Sequence, residues 1–190
     1  MNIDVQLAVS PASTFDRLVR ARHTGSAVAL AGRLLLTVAV VGVSVTIDAT
    51  GRASIGLASS LGVAWSFVFV IQAVASATVI LPARGREVTA LRAFELWCHA
   101  HVPWSLWLLL PALTATVLGH KLGDPQLAGL ALVPLGWTLV LLSAFARQVL
   151  RARRPLLVVA VHQAVLWGLA VCYVTYAVGG WDRMLAEIGL

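Results

Sequence analysis

The chain has 190 residues, of which 59% are hydrophobic and only 12% are charged, and its mean hydropathy is +0.89. A soluble domain carries about 25% charged residues, so the composition excludes an ordinary water-soluble protein and favours one membrane domain. The net charge of +6 does not indicate a nucleic-acid partner, because the arginines lie in short segments beside apolar stretches, as topology requires.

Residues 1–25 are predicted to form a cytoplasmic N-terminal segment. Residues 11–23 predict a short amphipathic helix, with Ser10 as its cap and Pro11 in its first turn. Its apolar and basic residues are Phe15, Leu18, Val19, Arg17, Arg20 and Arg22. A basic amphipathic helix before a span is typical of an interfacial helix on the membrane surface. The alternative is a solvated flank of the first span.

Five apolar stretches follow, each long enough to cross a bilayer. They predict spans at about residues 26–47, 55–81, 93–118, 127–146 and 155–178. The expected fold is therefore an all-α membrane protein, a bundle of five transmembrane helices over residues 26–178. Residues 179–190 are predicted to form a short external tail.

The distribution of Lys and Arg predicts the orientation of the spans. Eleven of the fourteen basic residues fall on the side of the N-terminal segment, and three fall on the opposite side. The positive-inside rule then places the N-terminus in the cytoplasm and the C-terminus outside. The bias towards Ala, Leu, Val and Arg, with a single lysine, indicates a GC-rich bacterial source and hence the plasma (inner) membrane.

Two spans carry small residues at four-residue spacing, which marks close helix contacts in membranes. These residues are Gly56, Ser60 and Ala64 in the second span and Ala160, Ala164, Gly168 and Cys172 in the fifth. We expect both stripes to pack inside the monomer. The alternative is an outward-facing stripe used for dimerisation.

Two charges fall inside predicted spans, where an ionisable residue indicates function by default. Arg33 must lie within the first span, because residues 34–47 alone are too short to cross. Glu95 lies near the cytoplasmic end of the third span, so the sequence predicts a buried pair between Arg33 and Glu95. Two alternatives stay open, namely that Arg33 snorkels to the headgroups or that it contacts a ligand.

His99 and His162 lie six and seven residues into two spans that both begin at the cytoplasmic face. Two histidines at one depth on different helices are the minimum for bis-His haem b, and a pigment is a related possibility. The alternative is that each is a buried histidine bonded to a backbone carbonyl or to a neighbour such as Gln163. Glu95 and His99 match a dinuclear metal motif only loosely, so no metal site is predicted.

Four tryptophans lie near predicted midplanes rather than in the interfacial belts where tryptophan is common. They are Trp104, Trp107, Trp137 and Trp167. Each indole N–H needs a partner when it is buried in hydrocarbon. These residues either fill a shared core, line a pocket for a lipid, quinone or pigment, or face a partner subunit.

The layout resembles the bacterial branch of the Yip family, five-span proteins named for interaction with Rab-type GTPases. The resemblance rests on Pro11 and Phe15 before five spans, and on an inner loop that runs into Arg92-Ala-Phe-Glu-Leu-Trp-Cys-His-Ala-His-Val-Pro103. It implies a membrane scaffold or assembly factor rather than an enzyme, and it carries over no catalytic residues.

The expected function is a non-catalytic membrane scaffold or accessory subunit, with membrane lipids and other membrane subunits as partners. One alternative is a small-molecule or ion permease that uses Arg33 and Glu95. Another is a haem-binding or pigment-binding redox subunit that uses His99 and His162.

Overall fold

The computed structural model describes residues 3–21, 26–52, 54–83, 88–99, 102–119 and 123–177, and the statements below concern these residues. All their regular elements are helical. The helices are α1 Ile3–Val9, α2 Pro11–Arg20, α3 Ala27–Thr50, α4 Ile55–Ala64, α5 Phe67–Ala83, α6 Ala90–Cys98, α7 Val102–Leu113, a π-helical turn Thr114–Leu118, α8 Asp124–Gln148 and α9 Pro155–Ala177. The predicted all-α fold is thereby confirmed, and the tail at 179–190 lies outside the described residues.

Four helical stretches are long and apolar enough to cross a membrane. They are α3, the α4–α5 stretch Ile55–Ala83, most of α8 and most of α9. The predicted third span, residues 93–118, is divided instead: α6 has 9 residues and α7 has 12. Pro103 lies in the first turn of α7, where proline is tolerated, and it lacks the N–H that would bond to the carbonyl of His99. These four helices are compatible with a multi-pass membrane protein, and the count of five spans stays a prediction.

Three helix starts are encoded by hydroxyl side chains, as helix caps usually are. Ser26 Oγ accepts a hydrogen bond from the N–H of Ala29 at 3.2 Å, and Thr89 Oγ1 accepts one from Arg92 at 3.2 Å. Ser54 Oγ caps α4 in the same way. These caps fix the beginnings of α3, α4 and α6 close to the positions that the apolar pattern predicts.

The membrane segments form a closed ring in which each helix contacts the next. α3 packs against α4 and α7, α7 against α8, α8 against α9, and α9 against α5, which continues from α4. The short helix α6 contacts α3 and α5. The ring therefore runs through all five predicted spans, although the third is interrupted.

The buried hydrophobic core lies at one end of this ring, where α8 ends and α9 begins. We call it the arginine-rich end, because the α8–α9 connection carries Arg147, Arg151, Arg153 and Arg154. Its buried cluster consists of Leu7, Phe15, Val19, Val79, Ile80, Ala93, Leu96, Trp97, Leu141, Leu142, Ala144, Phe145, Val149 and Val159. The N-terminal helices α1 and α2 and the short helix α6 thus complete the core.

The predicted amphipathic helix is present as α2, but protein rather than lipid covers its apolar face. Phe15 and Val19 are buried where α2 packs against α8. The ring of Phe15 meets that of Phe145 edge-on, with centroids 5.7 Å apart. An additional helix, α1, precedes α2, and the sequence pattern did not predict it.

The small-residue stripes face outward, so the prediction that they pack inside the monomer is wrong. Every residue of both stripes is exposed. The close contact of α3 with α4 uses other small residues. A Cβ atom added to Gly42 would overlap the carbonyl oxygen of Ala58. A Cβ atom added to Gly62 would lie 2.9 Å from the carbonyl oxygen of Val38. Ala58 and Gly62 are offset by two residues from the predicted stripe, which is about 200° around a helix.

Candidate functional site

Two openings between the helices border the core. The first, which we call the lateral groove, has a volume of about 690 Å³ and lies between α1, α7 and α8. Its walls are Val5, Leu7, Ala8, His99, Pro103, Leu106, Trp107, Leu110, Leu130, Val133, Pro134, Trp137 and Leu141. Pro134 lacks the N–H that would bond to the carbonyl of Leu130, so α8 is weakened where it forms a wall.

The second opening, which we call the amide cavity, has a volume of about 170 Å³ and lies between α5, α7, α8 and α9. Its walls are Phe67, Val68, Ile71, Gln72, Trp104, Leu135, Thr138, Gln163, Leu166, Trp167 and Ala170. The walls therefore carry two side-chain amides, one hydroxyl and two indole rings within an apolar surround.

All four predicted tryptophans line an opening, but they divide between the two. Trp107 and Trp137 lie in the lateral groove, whereas Trp104 and Trp167 lie in the amide cavity. Trp137 is 41% exposed and Trp167 is 50% exposed, so these two do not fill a shared core. Trp104 and Trp107 contact each other edge-on at 5.7 Å and separate the two openings along α7.

The histidines are both buried, His162 on α9 and His99 at the end of α6. His162, on α9, is fully buried beside Trp97 of α6, with ring centroids 4.4 Å apart. Its Nδ1 lies 3.5 Å from the amide nitrogen of Gln163. His99 follows α6 and lines the lateral groove while remaining only 4% exposed.

Haem binding by His99 and His162 stays a prediction, since the contacts above place each ring beside its own set of neighbours. The alternative of a buried histidine next to Gln163 fits the geometry of His162. No cluster of three or more His, Cys, Asp and Glu side chains suited to a metal ion occurs in the described part of the chain.

The charged residues of the predicted pair lie near the start of α3. Glu95 forms an ion pair with Arg92, one turn earlier on α6, at 3.0 Å. It also accepts a hydrogen bond from the backbone N–H of Ser26 at 3.4 Å, which ties α6 to the beginning of α3. Arg33 lies about 10 Å further along α3. Direct contact between Arg33 and Glu95 stays a prediction.

Sequence reasoning missed three residues that shape these sites. Trp97 contacts both His162 and Phe145, the latter at 4.9 Å, and so links α6 to α8 and α9. Gln72 and Thr138 supply polar groups to the amide cavity. A glutamine in an apolar span is itself a signal, because polar groups within a membrane are expensive, whereas nothing in the sequence distinguishes Thr138 from other threonines.

Comparison with known proteins gives no relative. The chain matches no protein-family model, no curated protein and no solved structure. The resemblance to the Yip family therefore stays a prediction.

Proposed function

We propose that this chain is a non-catalytic, multi-pass membrane protein that holds a lipid-class molecule in the lateral groove as an accessory subunit of a larger membrane assembly. The observation that carries the proposal is the groove itself. Its volume of about 690 Å³ falls within the range of ligand pockets. Its walls are almost entirely aliphatic or aromatic, which suits a hydrocarbon chain.

The groove also offers one hydrogen-bond donor to a ligand. The indole N–H of Trp107 is buried and has no hydrogen-bond partner among the described residues. An indole N–H in an apolar surround normally finds an acceptor. The ester oxygen of a membrane lipid would supply it, while the acyl chain lies along Leu106, Leu110 and Val133.

We further propose the orientation and address that the charge pattern predicts. Five spans would leave the N-terminus in the cytoplasm and the C-terminus outside, in a bacterial plasma (inner) membrane. In that orientation the arginine-rich end faces the cytoplasm, and α1 and α2 seal it. The resemblance to Yip-type scaffolds agrees with an accessory role.

The permease and redox alternatives receive less support from the geometry. Glu95 is already engaged by Arg92 and by the backbone of Ser26, so it offers less to a transported ion than a free carboxylate would. For the redox alternative, the contacts of His162 are with Trp97 and Gln163. We therefore carry forward the lipid-binding accessory role.

The proposal is tested by purifying the tagged chain from its own membranes in mild detergent and analysing both lipids and proteins by mass spectrometry. The wild type is compared with Val133→Trp, which fills the groove. The matched control is Leu132→Trp: residue 132 neighbours it on α8, is similarly exposed and does not line the groove.

We expect one lipid class to copurify with the wild type and the Leu132→Trp control but not with the Val133→Trp variant, together with stoichiometric membrane partners. Equal lipid recovery from all three proteins would refute the groove as the site. Recovery of lipid without any partner would refute the accessory role while leaving lipid binding intact.

A further inference from the structure

The amide cavity is mostly apolar, but it carries polar side chains in a stretch where polar groups are costly. It lies among α5, α7, α8 and α9, and no charged side chain is among its described walls. Gln72, Gln163 and Thr138 supply neutral donors and acceptors there. Neutral amides and hydroxyls favour a neutral polar ligand over an ion, so the described walls favour a ligand without charge.

Thr138 differs from other hydroxyl residues of the apolar helices. Many of those hydroxyls donate to a backbone carbonyl of their own helix, three or four residues earlier, as serine and threonine commonly do in membrane helices. They include Thr37, Ser44, Thr46, Thr50, Ser59, Ser60, Ser76, Thr78 and Thr116. Thr138 is only 2% exposed, and its hydroxyl has no hydrogen-bond partner among the described residues.

A buried hydroxyl without a partner is destabilising, because it has lost its hydrogen bonds to water and gained none. Thr138 lines the amide cavity, so a molecule seated there would supply the missing partner. Gln163 is held in place beside it: its Oε1 accepts a hydrogen bond from the indole N–H of Trp167 at 3.0 Å. The amide nitrogen of Gln163 lies 3.5 Å from Nδ1 of His162, so both ends of this amide have a neighbour.

The size and walls of the cavity restrict the shape of the ligand. A volume of about 170 Å³ is close to the roughly 150 Å³ of an engineered protein cavity that binds benzene. Trp104, Trp167 and Phe67 supply flat aromatic walls, which favour stacking or edge contacts with another ring.

We infer that the amide cavity binds a neutral six-membered ring that carries carbonyl oxygens, of the benzoquinone class. The Thr138 hydroxyl donates to one carbonyl oxygen, and the amide nitrogen of Gln72 is the available donor for the other. The ring lies against the tryptophan walls. This site is separate from the lateral groove, with Trp104 and Trp107 between them.

The test is a calorimetric titration of the full-length chain, in mild detergent, with duroquinone as the probe. Wild type is compared with Thr138→Val, which keeps the shape of the side chain and removes the hydroxyl. The matched control is Thr46→Val, since Thr46 is equally buried but its hydroxyl already donates to the carbonyl of Gly42 at 2.7 Å.

We expect the wild type and Thr46→Val to bind duroquinone equally and Thr138→Val to bind it about tenfold more weakly, the usual effect of one lost hydrogen bond. A second pair tests the location. Ala170→Leu fills the cavity and should abolish binding, whereas Ala164→Leu, on the exposed side of α9, should not.

Two results would overturn the inference: no duroquinone binding by the wild type, or equal affinity in wild type and Thr138→Val. Lipid recovery with Thr138→Val separates this inference from the proposed function. It should equal that of the wild type, because Thr138 does not line the lateral groove.

Discussion

The arginine-rich end and the middle of the helix ring use aromatic residues in opposite ways. At the arginine-rich end, Trp97 and Phe145 are 3% and 0% exposed and pack edge-on against each other. In the middle, Trp137 and Trp167 are largely exposed and border openings. The two regions differ in what covers them: α1, α2 and α6 pack over the arginine-rich end, whereas Trp137 and Trp167 are left exposed beside the openings.

Stability and binding therefore depend on successive parts of the same helix, with Leu141 belonging to both the core and the lateral groove. α8 contributes Phe145 to the core, and about two turns earlier it contributes Thr138 and Trp137 to the openings. Substitutions near the end of α8 should therefore affect folding, whereas substitutions around residue 137 should affect ligands.

The largest expected effect comes from Phe145→Ala at the arginine-rich end. Phe145 is fully buried between Phe15 and Trp97, so truncation leaves a cavity bordered by three helices. Such substitutions cost about 3–5 kcal/mol. Thermal unfolding in detergent, followed by circular dichroism, should show a large fall in midpoint. Leu132→Ala, at an exposed position on the same helix, is the control and should leave the midpoint almost unchanged.

An intermediate effect is expected where α3 meets α4. Gly42→Ala places a methyl group against the Ala58 carbonyl and should force the helices apart, at a cost of about 1–3 kcal/mol. Gly32→Ala, also on α3, is the control because nothing lies within 4 Å of its added Cβ. Thermal midpoints should fall only for Gly42→Ala; an equal change in both variants would contradict the close approach.

The smallest effect is expected from Asp16→Asn in α2. Asp16 pairs with Arg20 at 2.8 Å and approaches Arg151 at 3.9 Å, but both arginines are well exposed. Exposed pairs are worth about 0.2–1 kcal/mol and are screened by salt. The fall in midpoint should be slight at low salt and vanish at 1 M NaCl. A large fall that persists in salt would show that α2 is held mainly by charge.

The sequence predicts the helical segments well, because apolar stretches of span length favour a helix over other secondary structure. Prolines, glycines and charged residues then mark where each stretch ends. The structure places α3, α8 and α9 within a few residues of the predicted spans. The region of residues 93–118 was harder, because hydropathy averages over the break between α6 and α7. The helix α1 was missed, since seven residues carry too little periodicity.

Side-chain placement was less predictable, because spacing identifies a helix face but does not say what covers it. Helix α4 has small residues on two opposite faces. The sequence pattern predicted contact through the exposed face, whereas the contact with α3 uses the face of Ala58 and Gly62. The tryptophans were recognised as unusual, yet their division between two openings depends on how α7 packs against its neighbours. Thr138 differs from other hydroxyl residues in the hydrogen bonding of its side chain, which a sequence does not show.

The most direct test of the lipid-binding account is native mass spectrometry of the intact chain released from lipid nanodiscs. We predict a single bound lipid on the wild type and on Leu132→Trp, and none on Val133→Trp, because only residue 133 lines the lateral groove. The same pattern of bound lipid on all three proteins would contradict the claim that the groove is a binding site.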